Sequence, residues 1–168
     1  DLGHDIGYHY ECLSDSKGDQ KKARLDFGKN IEMFRAYCDV KTISMHGRPL
    51  SRYNNLKMWD PNGTHKYFIE SLELLGEINI DIDYTNIAYI NDTGRNWVSN
   101  KSNLRDKIIS DINADFNNES ELLDALINKK FNKLIFQIHP ERWNDNLVPW
   151  SFQYSFDLSV NILKSFIK

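Results

Sequence analysis

The spacing of apolar and polar positions changes several times along this chain, and each change marks an element. Residues 5–10 alternate as a short strand. Ala23, Phe27, Ile31, Phe34 and Cys38 then recur at intervals of 4, 4, 3 and 4. With Asp19 as an N-cap, that spacing predicts a helix over 19–37. Residues 40–45 predict the next strand. Residues 47–64 mix Gly, Pro, Asn and Ser with aromatics and predict a long loop. Loops of that length are usually functional or disordered. Tyr53, Trp59 and two arginines favour function. Residues 66–75 predict a short helix closed by Gly76.

Residues 78–83 alternate with period two and predict a half-buried strand, and residues 87–90 another. Asn91-Asp92-Thr93-Gly94 is a turn sequence. Asn118-Glu119-Ser120-Glu121 resembles a capping box and opens a helix to about Lys129. Residues 133–138 predict a buried strand ending at His139. The segment 149–168 carries two periods at once. Phe152, Tyr154, Phe156, Leu158, Val160 and Ile162 alternate, whereas Trp150, Tyr154, Leu158, Ile162 and Phe166 repeat every four residues. The segment is too long for an ordinary strand, and Pro149 suits a first helical turn, so a helix is predicted. Strands, helices and long loops after the strands predict the α/β class.

Composition narrows the function classes. The chain has 168 residues, 40% apolar and 27% charged, as expected of one soluble globular domain over 1–168. A net charge of −3 without a basic block argues against nucleic acid as a partner. No apolar run approaches the roughly 18 residues of a membrane span. Cys12 and Cys38 form neither a disulfide framework nor metal-knuckle spacing, so both are expected reduced and a cytoplasmic location is expected. The chain opens without Met and enters a strand almost at once, which suggests the later part of a longer protein. Oligomeric state is not legible.

Three of the five histidines, His9, His46 and His139, fall at the ends of predicted strands. Reacting groups collect at such ends in α/β folds, and imidazole-to-metal bonding explains the recurrence. His9 and His46 end consecutive strands joined by one helix, so parallel pairing would bring the two imidazoles together. Glu11, two residues beyond His9, reads as a third metal ligand, as a partner fixing a His tautomer, or as a solvated loop acid. His139 suits general-acid work. Arg48, Arg52, Arg95 and Arg142 follow strands and could orient a carboxylate or anion, or simply face solvent. Trp59, Trp97 and Trp143 in the loops suit sugar faces, or pack the loops onto the core. Asp92 reads as a turn residue.

These residues resemble a known family. Gly3-His4-Asp5-Ile6-Gly7-Tyr8-His9 resembles the second motif of the polysaccharide deacetylases, the NodB-homology or carbohydrate esterase 4 group. There a Gly-His-Glu-Ile-Gly-x-His run supplies a metal histidine. Residues 134–139 resemble the family's last motif, an apolar strand ending in the catalytic-acid His. Four segments in order, around His9, Met45-His46-Gly47-Arg48-Pro49, Asp92 to Trp97 and His139 to Trp143, look like a divergent branch found beside surface-polysaccharide genes.

The resemblance implies a distorted (β/α) barrel, present here as its larger C-terminal part. It also implies metal-dependent removal of an acetyl group from a sugar or polysaccharide precursor, with zinc as the metal. His9 and His46 would hold the metal with Glu11 as third ligand, and His139 would be the acid. Arg48 and Arg95 would orient the site, while Trp97, Trp143 and Arg142 would line it. This chain departs from the pattern in two ways. The family's second metal His falls at Leu13, with His46 proposed in its stead, and the family's upstream Asp pair has no counterpart here. The departures favour an alternative, a non-catalytic carbohydrate-binding or scaffold protein. A two-metal phosphoesterase is a weaker reading, because the strand ends carry too few carboxylates.

Overall fold

The computed structural model describes residues 3–48, 50–59, 65–93, 95, 97–98 and 108–166, the last three by backbone only. Pro49, Gly94 and Asn96, which belong to the motifs above, lie outside the described residues, as do residues 60–64 of the long loop. The chain divides into two compact units, Asp1–Ile82 and Asp83–Lys168.

In the first unit, strand β1 (Ile6–Tyr10) leads through helices α1 (Cys12–Asp15) and α2 (Gln20–Arg35) to β2 (Val40–Met45). The two strands pair in parallel, Tyr8 beside Ile43 and Tyr10 beside Met45. Parallel neighbours need a crossover, and α2 supplies it. Asp19 caps α2 as expected, its Oδ1 accepting the Lys22 N–H at 3.0 Å. Ala23, Phe27 and Ile31 are fully buried. The predicted stripe stops there: Phe34 is 40% exposed and Cys38 lies beyond the helix end. Burial of side chains such as Phe27 and Ile31 contributes about 1.5–3 kcal/mol each. Tyr8, Tyr10 and Trp59 pack edge-on or tilted against Phe27.

A 3-10 turn at Asn55–Met58, helix α3 (His65–Ser71), strand β3 (Gly76–Glu77) and helix α4 (Ile78–Asp81) complete this unit. The sheet order is β1-β2-β3, all parallel. Two expectations fail here. Gly76 does not close α3, which ends at Ser71 with Glu73 in the left-handed region at φ 54°; Gly76 is instead a strand residue. The strand predicted over 78–83 is a helical turn. Local bonds override its alternation: Glu77 Oε2 accepts the Asn79 N–H, and Asp81 Oδ2 accepts the Glu77 N–H, both at 2.7 Å. Side-chain caps of this kind compete with the strand ladder.

In the second unit, β4 (Ala88–Asn91) pairs in parallel with β5 (Leu134–Gln137), Ala88 beside Leu134 and Asn91 beside Gln137. Between them lies α5 (Glu119–Ile127), opened by the expected capping box. Asn118 Oδ1 accepts the Glu121 N–H at 3.0 Å, and Glu121 Oε2 accepts the Asn117 N–H at 3.0 Å. After a 3-10 turn at Pro140–Arg142 comes α6 (Leu147–Phe166), so the four-residue period of the tail prevails over its alternation. Asn146 Oδ1 accepts the Val148 N–H at 3.1 Å and holds the helix start.

Candidate functional site

Each unit gathers sequence-predicted residues at the C-terminal ends of its parallel strands. In the first unit they are His9, Glu11, His46 and Arg48. The His46 N–H donates to the Tyr10 carbonyl at 2.7 Å, extending the β1–β2 pairing by one step. The imidazoles of His9 and His46 are thereby neighbours, with ring centroids 5.1 Å apart. His9 Nδ1 donates to the Ser44 carbonyl at 3.1 Å, and His46 Nδ1 lies 2.8 Å from Glu11 Oε2. Acceptors at both Nδ1 atoms place the ring proton there. In the neutral ring the lone pair is then on Nε2, the arrangement that metal-binding histidines use.

Glu11 is the hydrogen-bond partner of one of these imidazoles. It bonds His46 Nδ1 and faces Arg48 Nη1 at 3.6 Å, while Arg48 Nη1 also donates to Asp15 Oδ1 at 2.6 Å. Arg48 sits at φ 24°, a strained setting for a side-chain-bearing residue. Among the described residues, no group of three or more His, Cys, Asp or Glu side chains is arranged to hold a metal ion. What the described residues bring together there is two neighbouring imidazoles, with Glu11 bonded to one of them.

Buried polar groups fix the His46 backbone. Asn55, fully buried, donates from Nδ2 to the His46 carbonyl at 2.7 Å and accepts the Ser14 N–H at 2.9 Å. Glu77, also fully buried, accepts the Met45 N–H at 2.9 Å. Burial raises its carboxyl above the ordinary carboxylate range, against the opposing effect of its Asn79 and Met45 hydrogen bonds. Neither residue carries a motif, and only its place beside the strand ends marks it.

In the second unit the centre is Asp92, the residue after β4, 1% exposed. Its carboxylate accepts from four donors. His139 Nδ1 lies 2.5 Å from Oδ1 and the His139 N–H 2.9 Å from Oδ2. Arg142 Nη1 donates to Oδ1 at 2.9 Å, and Trp143 Nε1 to Oδ2 at 3.0 Å. Burial pushes the Asp92 carboxyl upward, but the His139 bonds, the His139 charge and Arg142 outweigh it and hold it below the ordinary range. Asp92, read from the sequence as a turn residue, is therefore also the acid partner of His139. The two are 47 residues apart and meet because β4 and β5 are parallel neighbours.

Arg95 and Arg142 are engaged inside this unit. Arg95 Nε donates to Asp157 Oδ2 at 2.8 Å, and its guanidinium lies over the Trp150 and Tyr154 rings at 5.5 and 5.3 Å. Arg142 Nε is 3.6 Å from the same Asp157 oxygen. Arg95, like Arg48, has a left-handed backbone, φ 54°. Trp97 is buried and stacks on Trp143 with ring centroids 5.3 Å apart; Trp143 is half exposed. Of the two, Trp143 is therefore the exposed ring. Asp157 escaped notice in the sequence. Its signal was available, since it is the sole charged residue from 147 to 163.

The Asp92–His139 pair can perform proton transfer. Asp92 holds the proton of the neutral ring on Nδ1 and stabilises the imidazolium, which leaves Nε2 as the exchanging atom. The His139 side chain is 29% exposed, so solvent reaches it. Comparison of the chain with protein-family models, with curated proteins and with solved structures finds no match in any of the three.

Proposed function

We propose that this chain is a metal-dependent hydrolase that removes an N- or O-acetyl group from a sugar or polysaccharide precursor. The observation that carries the reading is the buried Asp92 carboxylate binding His139 through both its backbone and its ring. That pairing suits a general acid. His139 Nε2 gives its proton to the departing amine or alkoxide as water adds to the acetyl carbon and acetate is released. His9 and His46 would hold the metal, with Glu11 fixing the His46 tautomer. A divalent ion of the zinc type supplies carbonyl polarisation and an activated water when bound. Arg142 and Arg95 support Asp92 and the loop around it, Arg48 positions Glu11, and Trp143, backed by Trp97, offers a face to a sugar ring. The fold proposed with this activity is the family's distorted (β/α) barrel; the parallel strand pairing inside each unit is the feature compatible with it.

Acetate release from acetylated sugar oligomers, with zinc supplied, tests the reading. His139→Ala should lower kcat by on the order of 10²–10⁴-fold and leave metal content unchanged. Full activity in that variant removes His139 from the reaction. The exposed Trp143 ring, anchored by its Nε1 bond to Asp92, favours one second reading: carbohydrate binding without turnover. Glycan binding that survives chelation, with no acetate formed, would select it. Among the described residues, no helix is long and apolar enough to cross a membrane.

A further inference from the structure

The outward face of α6 is apolar and uncharged where a surface helix should be polar. Asp157 and Val160 lie on its inner face, Asp157 bonded to Arg95 and Val160 buried. The opposite face centres on Ser155. At 100° per residue, the positions three, four, seven and eight residues either side of Ser155 all fall within about 80° of it. Those positions match in pairs. Leu147 mirrors Leu163, and Val148 mirrors Ile162. Ser151 mirrors Ser159, and Phe152 mirrors Leu158. The six large apolar members are between 50% and 75% exposed.

We propose that this face pairs with the same face of a second copy of the chain, antiparallel, about a two-fold axis at Ser155. An antiparallel pair on that axis sets each residue opposite its mirror, so the palindrome makes the face self-complementary, as an isologous interface requires. The serines form a low central row into which facing Phe and Leu side chains fit. Two of the three hydroxyls already have partners within the helix: Ser155 Oγ donates to the Ser151 carbonyl and Ser159 Oγ to the Ser155 carbonyl, both at 2.9 Å. Those two can be dehydrated without losing their hydrogen bonds. The exposed apolar area of the face is on the order of 700 Å², close to what each partner buries in a standard interface. A lipid surface fits less well. Interfacial helices are rich in Lys and Arg on their polar side, whereas α6 holds a single basic residue, Lys164.

Sedimentation velocity of the full chain tests this. The expected species has twice the 19.7 kDa chain mass at micromolar concentrations. Phe152→Glu alone and Leu158→Lys alone should each give monomer. The double variant should dimerise again, because each introduced acid then faces an introduced base of the other copy. Ser155→Cys, a change too small to disturb folding, should form a disulfide-linked dimer on mild oxidation that the wild type, with Cys12 and Cys38 only, does not. A monomeric wild type, a dimer unaffected by either single charge, or a Ser155→Cys chain that does not cross-link would overturn the proposal. Binding of the monomer to lipid vesicles would reassign the face to a membrane surface.

Discussion

Asp92 grips His139 at two points, the ring at Nδ1 and the backbone at N, so neither the tautomer nor the position of the imidazole is left to solvent. Arg142 and Trp143 donate to the same carboxylate from the turn that follows His139. One acid thus fastens the end of β4 to the end of β5. Asp92→Asn should preserve the fold but place an amide donor among four donors. Acetate release should fall by on the order of 10²–10⁴-fold, read as kcat against wild type. Asp92→Ala removes the nearest carboxylate from Arg142, leaving it only Asp157 at 3.6 Å, and should cost about 3–5 kcal/mol in urea unfolding.

Asp92 and Glu77 should give opposite pH signatures. The Asp92 carboxyl is held low in the folded state, so its stabilisation is present above the unfolded pKa and is lost as pH falls through the folded one. Glu77 is raised by burial, so the unfolded chain ionises first and stability declines as pH rises from the ordinary carboxylate range toward the folded value. Unfolding free energy measured against pH should therefore lose part of its acid limb in Asp92→Asn. In Glu77→Gln it should lose part of its decline toward neutrality. An unchanged profile in both variants would show that neither carboxyl shifts on folding.

Glu11 separates a ligand from a partner of a ligand. On the proposed assignment, His9→Ala and His46→Ala should each abolish tight zinc binding. Glu11→Gln should weaken it by about 10–100-fold, as expected when a hydrogen-bond partner of a metal-binding His is altered. Titration of zinc against a competing chelator reads all three. Loss in Glu11→Gln equal to that in His46→Ala would make Glu11 a direct ligand.

Gly7 marks a close approach of β1 to β2. A Cβ there would lie 2.9 Å from Thr42 Oγ1 and 3.1 Å from the Thr42 carbonyl oxygen. Because the second contact is backbone, it cannot swing aside. Gly7→Ala should destabilise the chain by about 1–3 kcal/mol, seen as a lower urea midpoint at unchanged slope. The same strain should misplace His9, two residues on, and lower zinc affinity.

Elements whose signal was local were legible. Asp19 and Asn118 announced their helices because a cap is a bond between residues three apart, and α2 showed its buried stripe through spacing alone. Residues 78–83 misled for a related reason. Their alternation is genuine, but Glu77 and Asp81 bond the backbone around them into a turn, and Ile80 and Ile82 are more than one-third exposed. Periodicity reports burial only when another layer covers the apolar side.

Residue chemistry by itself singled out His9, His46 and His139 as strand-end groups, and consecutive strands with one crossover predicted that the first two would be neighbours. Tertiary structure alone decided which acid serves which imidazole. Glu11 reaches His46, and Asp92 reaches His139 across 47 residues. It also turned Arg95 inward onto Asp157 and made Trp143, not Trp97, the exposed ring. The reason is physical. Spacing along the chain governs bonds within a turn or a strand, whereas a buried carboxylate takes whichever donors the parallel strand beside it delivers.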